Sequence, residues 1–279
     1  MRFILLALTL LGCSTAMADA WKSDPVWHDG LVEKATYSAS REIYGQPRPY
    51  TAIFFTNKEQ HDRATLTKAT DSKDTVEVWK HNQIEVIPTP NYDYKFETTS
   101  HLSVEKMELT RLDCSSQEFC GTSFKQFLRE PTGKELSYWS FSYMPESGRV
   151  SRQIKVEKEP MIPQDALPLW LRDYDFNSRQ PARFWMLPSQ KSNRATGFLP
   201  VAAEARFAGE DGDAYKLEVV TFAPTRMAGS PWDQPSRPVG TFWMDKQRLH
   251  VMTKYHGADG QTYELKSVER VDYWTIKGQ

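Results

Sequence analysis

Large apolar and polar residues alternate with a period of two over much of this chain. A half-buried β-strand imposes that pattern, because successive side chains leave opposite faces. Residues 75–81 (Thr-Val-Glu-Val-Trp-Lys-His) and 153–157 (Gln-Ile-Lys-Val-Glu) alternate cleanly, and in 136–144 serines are spaced between large residues. The longer β-rich stretch 92–112 predicts two strands or one strongly bent strand. Residues 51–55 and 217–222 are apolar enough to predict more fully buried strands. The clearest signal is C-terminal. There 241–245, 249–255 and 262–266 read as strands, Gly-Ala-Asp-Gly at 257–260 suits a tight turn, and 268–274 closes the chain. This predicts an antiparallel meander of three or four strands.

One segment carries a helical period instead. Around residues 165–176, Asp165 stands as a cap and Pro168 falls near the first turn, where proline is tolerated. Leu167, Trp170, Leu171 and Tyr174 then fall at i, i+3, i+4 and i+7, one apolar stripe. Pro160 and Pro163 break the preceding strand and mark a seam near 159–165. Strands without alternating helices predict an all-β fold. The expected form is an antiparallel curved sheet, a half-barrel or barrel-like sandwich, over a single domain from 21 to 279 with that one short helix. The Pro-rich loop 229–238 around Trp232 is a second irregular stretch, of a kind that often carries function.

The N-terminus does not fit this β pattern. Arg2 precedes an apolar run from 3 to 11, and Ala16-Met17-Ala18 and Ala18-Asp19-Ala20 are small-x-small cleavage signatures. Residues 1–20 therefore read as a signal peptide, which places the mature protein in the periplasm or cell envelope. Leu10-Leu11-Gly12-Cys13 also resembles a bacterial lipobox, so acylation of Cys13 and membrane anchoring compete with plain cleavage. No apolar run approaches the ~20 residues of a membrane-spanning helix. In an oxidising compartment, Cys114 and Cys120 predict a disulfide rather than a redox pair, whose usual C-x-x-C spacing is missing.

With 35 Lys+Arg against 36 Asp+Glu, the chain lacks the excess positive charge of a nucleic-acid binder. It has no G-x-S-x-G, H-E-x-x-H, P-loop or G-x-G-x-x-G motif, and the spacing of its six histidines predicts neither a metal site nor a cofactor. His81 and His101, on alternating strands, are expected at the surface or rim. The aromatic content of 13% suits cross-strand packing, and it also suits a cavity on a curved sheet. Alternation nominates Trp79, Tyr94, Phe96, Trp139, Phe141, Trp170 and Trp243 as cavity lining. His28, Arg172, Asp173 and Asp175 are the candidate polar rim, with no catalytic set among them.

Three motifs carry a resemblance. Trp27-His28-Asp29-Gly30, then Arg41-Glu42-Ile43-Tyr44-Gly45-Gln46-Pro47-Arg48, then Gln117-Glu118-Phe119-Cys120-Gly121 resemble a family of uncharacterised secreted bacterial proteins over residues 27–128. Phe119 stands where that family often has Trp. Some members bear the label "septum formation inhibitor Maf", which fits neither export nor a β-rich chain, and that role is not carried across. The C-terminal meander resembles the last strands of envelope half-barrels, the group that includes the periplasmic lipoprotein carriers. That resemblance implies a cavity for an apolar ligand.

The leading expectation is an exported, non-catalytic protein that holds an apolar or amphiphilic, lipid-like ligand or an envelope partner. Its rivals are an envelope hydrolase built from scattered Asp, Glu and His, and a structural or assembly protein.

Overall fold

The computed structural model of the protein describes residues 21–144, 148–156, 160–194, 197–224, 230–272 and 274. The predicted signal peptide, Cys13 with it, lies outside the described residues, as do Glu157, Gly229 and Tyr273.

Among the described residues, fifteen strands hydrogen-bond into one curved sheet. From β1 (Val32–Ile43) a meander runs outward in sequence order. It passes through β2 (Gln46–Asp62), β3 (Thr75–Ile87), β4 (Tyr94–Ser103), β5 (Leu109–Glu118), β6 (Gly121–Arg129), β7 (Glu135–Ser142) and β8 (Arg149–Lys155). A second series begins with β9 (Met161–Pro163), β10 (Ala182–Leu187), β11 (Val201–Asp211) and β12 (Ala214–Phe222). It ends with β13 (Ser236–Asp245), β14 (Met252–Gly257) and β15 (Thr262–Val271), and β15 pairs with β1 to join the two series. All neighbours are antiparallel except β9 and β10, which run parallel. The sheet is unclosed, with β8 and β9 as its edges.

The stretch 92–112 is two strands, β4 and β5, and the C-terminal meander is three, β13 to β15. Gly260, at φ 82, takes the left-handed conformation its turn requires. Residues 51–55 are not fully buried as expected. They belong to the long strand β2, where Thr51 is exposed while Ala52 and Phe54 face the core. In β12 the adjacent Val219 and Val220 are both buried, on opposite faces, and the register against β13 shifts between them. Val220 joins Ala202 and Phe222 in a small outer cluster, and Trp185 and Trp232 pack against it. Trp232 also donates to the Ala203 carbonyl at 3.1 Å, so the Pro-rich loop is pinned by its tryptophan.

The helical segment is a single α turn, α1 (Leu167–Trp170), between 3₁₀ turns at Gln164–Ala166 and Leu171–Asp173. More than the expected stripe is buried: Pro168, Leu169 and Arg172 are buried along with Leu167 and Leu171. The sheet rolls so that this segment, β9 and the strap after β10 sit against the concave face of β3 to β7. Gln83 donates to the Asp165 carbonyl at 2.6 Å, and Lys125 to the carbonyls of Gln190 (2.9 Å) and Ser192 (2.8 Å).

Arg172, expected on a rim, is buried and forks onto Glu33 of β1 at 2.6 and 3.1 Å. Asp245 sits in the same field and has a buried Oδ1 with no partner. Burial lifts its carboxyl to about 6, with the Arg172 charge opposing that rise. A carboxyl raised in the folded state disfavours its own ionisation. Stability is therefore lost as pH climbs from about 4 through 6. Asp245→Asn is expected to remove that loss. The variant should match wild type below pH 4 and exceed it by about 1–2 kcal/mol above pH 7, a figure reduced for partial exposure. Urea unfolding at both pH values checks this, and equal stability at pH 7 would refute it.

Candidate functional site

At one end of the rolled sheet lies a cavity of about 520 Å³, within the range of small-molecule sites. Its walls are mixed. Pro168, Pro188, Val239, Phe242 and Tyr255 are apolar, while Arg41, Gln83, Asp165, Lys191, Gln261 and Tyr263 are polar. Tyr255 lies between two facing glycines, Gly240 and Gly257. A Cβ on either would come within 2.6 Å of the ring or its hydroxyl, so only glycine leaves room.

The polar floor is a saturated network. Lys191 Nζ donates to Glu85 Oε1 (2.7 Å), the Tyr263 hydroxyl (3.1 Å) and Gln83 Oε1 (3.2 Å), which uses all three of its protons. Tyr263 and Tyr50 donate to the two oxygens of Glu85 at 2.7 and 2.8 Å, and Gln261 donates to both tyrosines. Burial would raise Glu85, but the Lys191 charge and the hydrogen bonds outweigh it and hold the carboxyl below its ordinary range. Glu85 and its neighbours in turn hold Lys191 above its ordinary range despite burial. The pair is a fixed anion and a fixed cation. The network anchors the strap, and Asp165 adds to this by accepting from Ser189 Oγ (2.6 Å) and the Gln190 amide (2.8 Å).

Arg41, on β1, differs from its neighbours. Nη2 donates to the Lys191 carbonyl at 2.7 Å and the guanidinium lies 5.1 Å from the Phe96 ring centre, but Nη1 is buried with no partner. Arg41 and Ser192 also border a second cavity of about 480 Å³. That cavity is lined by Tyr44, Tyr92, Tyr94, Phe96 and Tyr143, with Glu118, Cys120, Asn193 and Arg194 among its polar residues. Tyr44 and Gly45 both have positive φ in the two-residue turn between β1 and β2. That turn presents Tyr44 to Tyr94, and their hydroxyls are hydrogen-bonded. Two of the three resemblance motifs, around Tyr44 and around Glu118-Phe119-Cys120, thus meet at one rim. In the third, Asp29 takes a two-pronged contact from Arg270 at 2.6 and 3.1 Å.

Of the predicted lining, Tyr94 and Phe96 border the aromatic cavity. The other five do not line either of these cavities. Trp79 is buried beneath Trp21 and Trp27, and Trp170 packs on Phe184. Trp139 and Phe141 point outward, 48% and 45% exposed, and Trp243 faces out beside Lys216 and Lys254.

The predicted polar rim is not assembled. His28 is exposed at the end of a 3₁₀ turn, and Asp173 accepts from the Trp21 indole and Lys22. Asp175 caps the amides of Asn177 and Ser178. The disulfide is absent as well, since Cys114 and Cys120 are free thiols. Cys114 lies inside β5, and four residues of extended strand plus a turn separate it from Cys120. At about 3.4 Å per residue that is some 13 Å of strand, beyond the ~7 Å a disulfide spans. Burial pushes the Cys114 thiol up to about 12, and it donates to the Gln190 carbonyl at 3.2 Å. Arg41, Glu85, Lys191 and Gln261 escaped sequence reasoning. For Glu85 a signal existed, because a charge shares the inward parity of Trp79 and Ile87 on β3.

No protein-family model matches the chain, and no curated protein sequence does. A solved structure that does match is the β-barrel-like protein of domain of unknown function DUF1849 from Brucella abortus. The likeness has a TM-score of 0.48 at 7% sequence identity and covers 87% of this chain and 98% of that one. The chain is thus similar over most of its length to a protein whose own domain is of unknown function.

Proposed function

We propose that this protein is exported to the bacterial cell envelope and there binds, without chemical turnover, an amphiphile carrying an anionic group. One observation carries the reading: Arg41, whose guanidinium keeps a buried N–H without a partner, borders both a mixed cavity and an aromatic cavity. A buried donor without a partner is costly, and a carboxylate or phosphate oxygen would satisfy it. The ligand's apolar part would lie along Tyr94 and Phe96 or against Phe242 and Tyr255. The resemblance of the C-terminal meander to envelope carriers points the same way.

Export rests on the signal-peptide features of residues 1–20. Cleavage before Trp21 would leave as first residue a tryptophan that is itself buried in the core. Anchoring through Cys13 is the variant of this reading in which lipoprotein processing wins. The intact mass of protein recovered from a bacterial envelope distinguishes them: a start at Asp19 or Trp21 means cleavage, and an acylated Cys13 means anchoring.

Calorimetric titration with dodecanoate, against uncharged dodecyl maltoside, tests the ligand class. One-to-one binding of dodecanoate is expected, weakened roughly 10- to 100-fold in Arg41→Gln by loss of a charge-assisted hydrogen bond worth about 1.5–3 kcal/mol. No binding, or equal binding by the variant, would overturn the reading.

A further inference from the structure

A separate cluster sits on the convex face, away from both cavities. Glu59 and His61 lie two residues apart on β2 and so share a face, and His101 reaches them from β4 across β3. The connection from β2 to β3 folds back over them. Leu66 is buried there at φ 51, His61 bridges to Lys68, and Arg111 donates to the Leu66 carbonyl at 3.3 Å. This cover leaves His61 and His101 only 3% and 6% exposed, against the expectation of a surface position for His101.

The three side chains converge. A carboxylate oxygen of Glu59 and one ring nitrogen from each histidine lie within 4.8 Å of one another, and the two rings are 4.5 Å apart. The Glu59 oxygens divide their work. Oε1 accepts from Lys80 Nζ at 3.1 Å and Asn57 Nδ2 at 3.4 Å, while Oε2 faces His61 Nε2 at 3.6 Å. That gap is too long for a hydrogen bond. It is the spacing expected of two ligands on one tetrahedral metal, because bonds of about 2.0–2.2 Å place ligand atoms roughly 3.3–3.6 Å apart. Nδ1 of His101 is buried without a hydrogen-bond partner, although buried polar atoms are nearly always satisfied; the nitrogen of His61 that faces Glu59 is Nε2, and its Nδ1 points away from the centre. Lys80 and Asn57 hold the carboxylate as outer partners of a metal ligand do.

We propose that Glu59, His61 and His101 bind a divalent transition metal of the zinc class, with water completing the coordination. Two imidazoles and one carboxylate select such a metal over calcium or magnesium, which take oxygen ligands. Bound there, the ion would tie β2 to β4. No motif search finds this site, because its histidines come from separate strands and only the sheet register brings them together.

The test is calorimetric titration of Zn²⁺ into the chelator-stripped full chain carrying no polyhistidine tag. One equivalent is expected to bind with a micromolar or tighter constant and to raise the melting temperature. Co²⁺ in its place should give the visible absorption of a four-coordinate site. In the double variant His61→Gln/His101→Gln, with folding checked by circular dichroism, affinity should fall at least 100-fold, and Glu59→Gln should weaken it about 10-fold or more. Failure of wild type to bind Zn²⁺ or to gain thermal stability would overturn the proposal without reference to any variant. Unchanged binding by the folded double variant would overturn it equally.

Discussion

Replacing Lys191 by Met is expected to cost about 3–5 kcal/mol of folding stability, the usual penalty for removing one partner of a buried ion pair. Glu85 is fully buried, and among the described residues Lys191 supplies its only cationic hydrogen-bond partner, at 2.7 Å. In the variant, two tyrosine hydroxyls would face a carboxylate that has no hydrogen-bonded cation, with only the Arg41 charge still acting on it. The double variant Glu85→Gln/Lys191→Met leaves no orphan charge and should recover most of the loss, since well-packed neutral replacements of buried pairs are often near neutral. The pH dependence follows from the two shifts. Glu85 is lowered in the fold, so its contribution is present above its unfolded value near 4.5 and lost on acidification. Lys191 is raised, so its contribution is present below 10.5 and lost as the solution becomes more alkaline than its folded pKa. The difference between wild type and K191M should therefore be flat between those limits. Urea unfolding measures it, and a single-variant loss under about 1 kcal/mol would mean that the strap is held by its other contacts.

That strap also explains which parts of the molecule were legible in the sequence. Period-two alternation located the strands β3, β7 and β13 because packing on one face of a sheet acts residue by residue. It misjudged which face in β7. There Tyr138 and Ser140 point inward while Trp139 and Phe141 point out. Large residues were expected inside, but the inside of β5 to β7 is occupied by irregular backbone at 190–193, whose carbonyls need donors and leave little room. Ser123 and Ser142 supply hydroxyls to the Ser192 and Asn193 carbonyls, Lys125 its ammonium, and Tyr138 its hydroxyl to Gln190. The small polar residues of these strands are therefore concave-face residues. No window of local sequence contains that information, since strap and strands are far apart in the chain. The same holds for the cavity, which joins Arg41 near one end of the sequence to Gln261 near the other. Each half of the β1–β2 and β5–β6 rim could be read locally as a turn, but their meeting depends on the register of five strands.

Truncating Trp79 to Ala is expected to be as costly as the loss of Lys191, for a different reason. Trp79 is wholly buried; Trp21 stacks on it at 4.7 Å, Trp27 meets it edge-on at 4.8 Å, and Lys58 lies 5.0 Å from its ring centre. Removing the indole opens a cavity at about 3–5 kcal/mol, to which the aromatic pairs add about 0.5–1.5 kcal/mol each. Part of the loss should be local. The segment before β1 is held through Trp21, whose indole donates to Asp173 at 3.2 Å, and through Trp27, which donates to the Trp21 carbonyl at 2.6 Å. Without Trp79 the segment loses its stacking surface. Hydrogen exchange at residues 21–31 should therefore accelerate more than exchange in β12 or β13. Trp79→Phe should cost much less, because it keeps a ring for Trp21 to stack on and removes an indole N–H that is buried without a partner. If W79A exchanges uniformly faster across the sheet, the segment and the sheet unfold as one unit. If exchange at 21–31 is unchanged, the segment is held by Asp173 and Arg270 rather than by the tryptophan stack.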